Sequence, residues 1–306
     1  MKNEIDIIIS LYNKEYEIEK CIKSVLEQTK TPKNIIVVNN NSTDNSTEVV
    51  NVIIKNNPTI NIKLINESRQ GAQYSRHAGA MYSSSKFVAF LDGDDYMLPN
   101  HIEVVNDLIN KYFDFDVFCS SYIYELNNQI SNSRNIKNII ISRNKEKFFK
   151  NYFYNRGMLC SSNITCKKSL INDKWIEYND RIGEDLNIWY NIISKTKFVC
   201  ANNNTIVINK TPISSNSSLD QKKMAIEIIL KNKIKLKESS FFYEKIVFAR
   251  RMIYVGKTIG IKHLFSKLHL LLIVFFLEIS RILILKFKRG IDAFKRKLKI
   301  KFTKIL

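Results

Sequence analysis

The chain has 306 residues, of which 45% are hydrophobic and 25% charged, and a formal charge of +19. That length and apolar share suit one large α/β domain or two smaller ones with real cores, and they exclude a disordered tail protein. The excess positive charge calls for an anionic partner, and it is uneven: residues 257–306 hold thirteen Lys and Arg against only Glu278 and Asp292.

In chain order, the opening MKNEIDIIISLYN reads as a strand rather than as the apolar core of a signal peptide. IDIIISL (5–11) is a continuous β-branched run, and Ile18, Ile22, Val25 and Leu26 then recur at helical spacing. NIIVV (34–38) is a second such run, followed by STDNSTEVVNVIIKN as a helix capped by Ser42 and Asp44. INIKLI (60–65), a helix from about Gly71 to Tyr82, and KFVAFL (86–91) continue the rhythm. Apolar strands alternating with helices predict a doubly wound, mainly parallel sheet with helices on both faces.

In such sheets ligands bind at the carboxyl ends of the strands, where the strand order reverses. Polar clusters fall at those ends: SLYNKEYE, NNNSTDNS, NESRQG and DGDD. The last is the most pointed, because AFLDGDDYMLPN (89–100) ends an apolar strand on Asp92, Asp94 and Asp95. Clustered carboxylates repel, and either a loop open to water or a bound cation relieves them. Neither GxGxxG nor GxxxxGK[ST] is present, so a dinucleotide fingerprint and a P-loop are both excluded.

From 113 to 215 the pattern is less regular, with strand-like FDVFCSSYIYE, MLCSSNITC and KFVCANNNTIVINK. GED at 183–185 is followed by Leu186, Trp189, Tyr190 and Ile193 at helical spacing, so Glu184 and Asp185 open an amphipathic helix. Acids there either complement the helix dipole or do chemistry. The five cysteines are scattered with no CxxC pair, as buried thiols of a reducing compartment would be.

From about 220 the chain reads as helical and basic. LFSKLHLLLIVFFLEISRILILKFKRG (264–290) is nearly apolar all round but interrupted by Lys267, His269, Glu278 and Arg281. Those charges disfavour a bilayer span; a helix in the headgroup region, with Lys286 to Lys304 on anionic lipid, fits better than one. A buried helical hairpin with a solvated basic tail is the alternative. The expected organisation is 1–112 and 113–219 as two halves of one domain and 220–306 as an extension.

Taken together, SLYNKEYEIEKCIKSVLEQT, IIVVNNNSTDNS, GAQYSRHAGAMYSSSKFVAFLDGDD and GED resemble, in order and spacing, the inverting family 2 glycosyltransferases with a GT-A fold. The resemblance covers roughly residues 1–215. It implies a nucleotide-diphospho-sugar donor, Mn²⁺ or Mg²⁺, and transfer to an acceptor hydroxyl with inversion at the anomeric carbon. Asp94 is the implied cation ligand, with Asp92 beside it on the metal or the ribose. Asp95 orients the loop or caps the helix after Pro99. Asp185 is the implied general base, and Glu184 helps to hold the acceptor.

Tyr12 and Asn13 would frame the nucleoside, and Arg76 would grip the diphosphate or brace the DGDD loop. Family members place an aspartate where this loop reads Asn39-Asn40-Asn41, to accept from the uracil N–H. An amide oxygen also accepts and an amide can donate, so Asn39 and Asn40 leave the base open with a UDP-sugar favoured, unless they are simply turn formers. Expected partners are a glycan or lipid-linked glycan acceptor and an anionic membrane surface, placing the protein in the cytoplasm on the inner face of the membrane. Nucleic acid is not expected, because no interleaved basic-aromatic motif is present. A nucleotidyltransferase is the alternative enzyme, but SLYNKEYE lacks the glycine its loop would need.

Overall fold

The structure, a computed structural model, describes residues 3–127, 129–131, 138–154, 158–173, 188–189, 192–193 and 195–209. The chain divides into two compact units, Met1–Asn216 and Ser217–Leu306, and all the described residues belong to the first. Residues 220–306, including the apolar stretch 264–290, lie outside the described residues.

The expected alternation is present: β1 (Ile5–Leu11), α1 (Ile18–Leu26), β2 (Asn34–Asn39), α2 (Ser46–Asn56), β3 (Ile62–Asn66), α3 (Ala72–Tyr82) and β4 (Phe87–Asp92). There follow β5 (Tyr96–Met97), α4 (His101–Lys111), β6 (Val117–Leu126), β7 (Gln129–Ser131), β8 (Ile140–Ser142), α5 (Lys145–Tyr154), β9 (Ile164–Lys167) and β10 (Phe198–Asn209). One ten-stranded sheet runs β3-β2-β1-β4-β9-β6-β10-β5, with β7 on β6 and β8 on β10. The long ladders β1–β2, β1–β4, β2–β3 and β6–β10 are parallel. Short β9 pairs antiparallel with both β4 and β6, so the second half continues the same sheet.

Alternation along β1 supplies both faces. Ile5, Ile7, Ile9 and Leu11 share a core with Ile18, Cys21, Ile22 and Val25 of α1, Val50 and Ile53 of α2, and Ile102 and Val105 of α4. Ile8, on the opposite face, meets α3 so closely that a Cβ on Gly79 would lie 2.4 Å from its Cγ2. Glycine at 79 therefore lets the helix backbone lie on the strand. On that same face Phe90 packs against Trp189, ring centroids 5.3 Å apart.

Two local expectations need correcting. MLCSSNITC is a strand only from Ile164, because Asn163 diverts the chain into a 3-10 turn, Ser161–Asn163. Its side chain donates to the carbonyls of Ser120 and Met158 and accepts from the Cys160 N–H. The second helix begins at Ser46, whose N–H is capped by Asp44 Oδ1 at 3.0 Å and not by Ser42 or by Asn45 at the N-cap position. Ser42 instead accepts from the Asn13 N–H at 3.1 Å, and Asp44 accepts from the N–H groups of Glu15 and Ser46.

Candidate active site

The strand order places the topological switch point between β1 and β4, since β2 and β3 lie on one side of β1 and β4 on the other. Register aligns the carboxyl ends: Asn66 sits beside Asn39, Asn39 beside Leu11, and Ser10 beside Asp92. The four polar loops thus emerge along one edge of the sheet and bond to one another. Thr43 N–H donates to Asn13 Oδ1 at 2.8 Å, Lys14 N–H to Ser46 Oγ at 2.8 Å, and Asn41 Nδ2 to the Ser68 carbonyl at 2.8 Å.

At the switch point lies a cleft of about 430 Å³, lined by Ser10, Leu11, Tyr12, Lys14, Asn40, Gln70, Gly71, Ala72, Ser75, Arg76, Asp92, Gly93 and Asp94. Its charged side chains among the described residues are two cations and two carboxylates, and they are paired. Arg76, 4% exposed, donates from Nη2 to Asp92 Oδ1 at 2.6 Å. Ser10 Oγ donates to the same oxygen at 2.8 Å. Lys14 Nζ lies 2.9 Å from Asp94 Oδ2, with both side chains about a quarter exposed. Burial pulls the Lys14 ammonium down, but its hydrogen bond with Asp94 and the charges of Asp94, Glu17 and Asp95 outweigh that and hold it above its ordinary value.

Gly93 allows the two carboxylates to stand this close to β1. Its N–H donates to the Ser10 carbonyl at 3.0 Å, and a Cβ there would come within 2.9 Å of that oxygen. Asp95 turns away: buried, it accepts from Ser162 Oγ and, at 3.1 Å, from the Asn209 N–H. Burial, then the charges of Asp92 and Asp94, push its carboxyl well above the usual range. It ties the loop to β10 and does not cap α4, which has no side-chain cap.

Tyr12, half-exposed at 48%, lines the cleft. Asn13, at φ 50°, uses its side chain to hold the loop after β2. Asn39 donates to Asn66 Oδ1 at 3.0 Å, accepts from the Ser42 N–H at 3.1 Å, and is not among the lining residues. Asn40 is buried, with Nδ2 donating to the carbonyls of Glu67 at 2.8 Å and Arg69 at 2.7 Å, while Oδ1 accepts from the Gly71 N–H at 2.7 Å. Because all three partners are backbone groups, the amide orientation is fixed, and neither of its donors is left for a ligand. His77 faces Asp173 at 3.4 Å and is not a lining residue. Glu184 and Asp185 lie outside the described residues; Trp189 and Ile193 of the same expected helix are buried.

Lys14 and Ser10 were not singled out by sequence reasoning. The available signal was a cation three residues past a strand end, at the edge that also carries an acidic loop. Among the described residues no three His, Cys, Asp or Glu side chains converge as a metal cage. The donor set fits a hard cation held by one or two carboxylates and completed by a ligand's phosphate oxygens, as Mg²⁺ or Mn²⁺ is held in nucleotide enzymes. Lys14 Nζ occupies the cleft side of the Asp94 carboxylate, 2.9 Å from Oδ2.

The profile of Glycosyl transferase family 2 matches residues 6–174, more than half of the chain. The chain belongs to glycosyl transferase family 2. An Escherichia coli protein, UDP-Glc:alpha-D-GlcNAc-diphosphoundecaprenol beta-1,3-glucosyltransferase WfgD, is 28% identical to this family 2 chain over 213 residues, covering 70% of this chain and 78% of that one. YibD of E. coli K12, described as an uncharacterized glycosyltransferase, is 35% identical over 103 residues, 34% of this chain. The match spans 29% of YibD and 10% each of the chondroitin synthase and the hyaluronan synthase of Pasteurella multocida. Residues 1–349 of Staphylococcus aureus TarS, solved with UDP-GlcNAc, share the fold: TM-score 0.61 at 15% identity, over 83% of this chain and 72% of that one. The fold is thus GT-A-like, as the resemblance implied.

Proposed function

We propose that this family 2 chain moves a sugar from a nucleotide-diphospho-sugar to an acceptor hydroxyl with inversion at the anomeric carbon. The observation that carries the reading is the switch-point cleft with Arg76 on Asp92 and Lys14 on Asp94: cationic groups for a diphosphate and a carboxylate for a cation stand within one small space. Tyr12 stacks on the nucleoside. Arg76, locked by Asp92, braces the DGDD loop and faces the diphosphate with a fork geometry that Lys cannot reproduce. Asp94, with Asp92, would hold Mn²⁺ or Mg²⁺, which when bound offsets the charge developing on the departing diphosphate.

Asp185 takes the acceptor hydroxyl proton while Glu184 positions the acceptor. The acceptor oxygen forms the new bond to the anomeric carbon, and the bond to the diphosphate breaks with its electron pair leaving on phosphate oxygen. A UDP-sugar is favoured, in keeping with the UDP-Glc in the name of WfgD and the UDP-GlcNAc in the TarS complex. The acceptor is a lipid-linked glycan of bacterial surface polysaccharide assembly, the class of substrate named for WfgD. The basic segment 257–306 serves as a peripheral contact with the inner face of the membrane, beside which such an acceptor is held. Among the described residues no helix is long and apolar enough to cross a membrane.

The test is transfer from UDP-[14C]glucose and UDP-[14C]GlcNAc to undecaprenyl-diphosphate-linked sugars with Mn²⁺. Asp185→Asn should keep UDP binding and lose transfer by at least a hundredfold, the lower range for a general base. Transfer retained in Asp185→Asn would remove that residue from the mechanism; no release of UDP with any acceptor would count against the donor class.

A further inference from the structure

The charge arrangement of the cleft has a specific chemical consequence. Its four charged lining residues, Lys14, Arg76, Asp92 and Asp94, are formally neutral as a set. A nucleotide-diphospho-sugar carries two negative charges on its diphosphate, and Mn²⁺ or Mg²⁺ two positive ones. Either alone leaves the cleft with a net charge of two, whereas the pair restores neutrality. For that to happen one of the resident ion pairs must open, and the two pairs are built differently. Arg76 is held by its own burial, 4% exposed, and its contact with the one-third-exposed Asp92 is reinforced by Ser10, which donates to the same carboxylate oxygen. Lys14 and Asp94 are joined by a single contact between partly exposed groups, and a pair open to solvent in this way is weak. The Lys14 backbone is held on both sides, by Ser46 Oγ on its N–H and by Glu17 and Ile18 on its carbonyl. Only the flexible end of the side chain therefore has to move.

We propose that Lys14 is an exchangeable counter-ion: it holds Asp94 in the empty cleft, gives up that carboxylate to the incoming divalent cation, and turns its ammonium to the diphosphate. Metal and nucleotide then enter as a neutral pair, and each raises the affinity of the other by the same factor. Arg76 stays on Asp92 throughout. This rests on the proposed donor and cation sites and goes further by assigning the coupling between them to one residue.

The experiment measures Mn²⁺ binding by electron paramagnetic resonance, with and without UDP, and UDP binding by calorimetry with and without Mn²⁺, on the full chain. In the parent protein UDP should tighten Mn²⁺ binding by about tenfold, within the usual range of coupling between sites. Lys14→Met removes the competitor, so Mn²⁺ alone should bind about fivefold tighter, the equivalent of an exposed ion pair at the upper end of its range. The same variant should bind UDP more weakly in the presence of Mn²⁺, so that the coupling shrinks; Lys14→Arg should restore part of it. Mn²⁺ affinity in Lys14→Met within twofold of the parent, with Asp94→Asn abolishing Mn²⁺ binding, would overturn the counter-ion role and leave the cation site standing. If the parent binds neither Mn²⁺ nor UDP, or Asp94→Asn binds both as the parent does, the proposed function itself fails, and the exchange with it.

Discussion

Replacing Asn40 by Asp, the residue that the family resemblance leads one to expect in this loop, should be strongly destabilising. Asn40 is 2% exposed, and its amide donates at 2.8 and 2.7 Å to two carbonyls and accepts at 2.7 Å from one N–H. A carboxylate keeps the bond from Gly71 but turns both donors into acceptors facing the Glu67 and Arg69 carbonyl oxygens. Two lost hydrogen bonds cost about 1 kcal/mol each, and the stranded carbonyls add a comparable amount, for a total of about 3 to 4 kcal/mol. For a cooperative unit of this size that corresponds to a fall in melting temperature of roughly 10 °C. Differential scanning calorimetry of the parent and Asn40→Asp at neutral pH measures it. The drop should shrink in acid, because the introduced carboxyl, once protonated, regains one donor. A variant melting within about 2 °C of the parent would refute the claim that the amide is locked against the loop after β3.

Three further outcomes follow from individual contacts. His101 is buried against Thr205, and burial holds its imidazole down to about 4, from an ordinary 6.5. Between those values the unfolded chain binds a proton that the folded one does not. This contribution is therefore fully present above about pH 6.5 and is lost as pH falls to about 4, some 3 kcal/mol in all. In urea titrations across that window His101→Gln should show the smaller loss, and identical slopes would contradict the assignment. Gly93→Ala, which puts a methyl 2.9 Å from the Ser10 carbonyl oxygen, should cost about 1 to 3 kcal/mol and weaken Mn²⁺-dependent nucleotide binding; unchanged stability and binding would mean that the DGDD loop does not need that close approach. Arg76→Lys should leave the fold intact yet weaken UDP binding, because a point charge cannot brace Asp92 and face a diphosphate at once; unaltered UDP affinity by calorimetry would show that the guanidinium fork is not needed.

What was legible in the sequence was what local periodicity encodes. Apolar runs, β-branched in β1 and β2 and Phe-rich in β4, mark these strands within a residue of their ends, and the polar strand ends identify the face that carries the cleft. Asp92, Asp94 and Arg76 were readable because an acidic loop after a buried strand and an arginine in the preceding helix have few structural uses together. The partners of those residues were not readable. Asn40 reaches backbone 27 to 31 residues away, and Asp95 reaches Asn209 across 114 residues. Such contacts depend on strand order, which no local pattern states. For the same reason Ser42 looked like a helix cap and is in fact a brace for the neighbouring loop, and Asn40 looked like an adaptable donor although both N–H groups of its amide are engaged.

If the switch-point cleft is a metal-dependent nucleotide-sugar site, UDP and Mn²⁺ must stabilise the fold together, and a thermal-shift measurement with UDP, with and without Mn²⁺, reads that out. A ligand that binds only the folded state raises the melting temperature by mass action, by about 2.7 kcal/mol at a hundredfold excess over Kd. The expected result is a rise of several degrees with UDP and Mn²⁺ together, a small effect of either alone, and loss of the combined effect in Asp94→Ala. No shift with UDP, GDP or dTDP in the presence of Mn²⁺, in a protein that melts cooperatively, would contradict it.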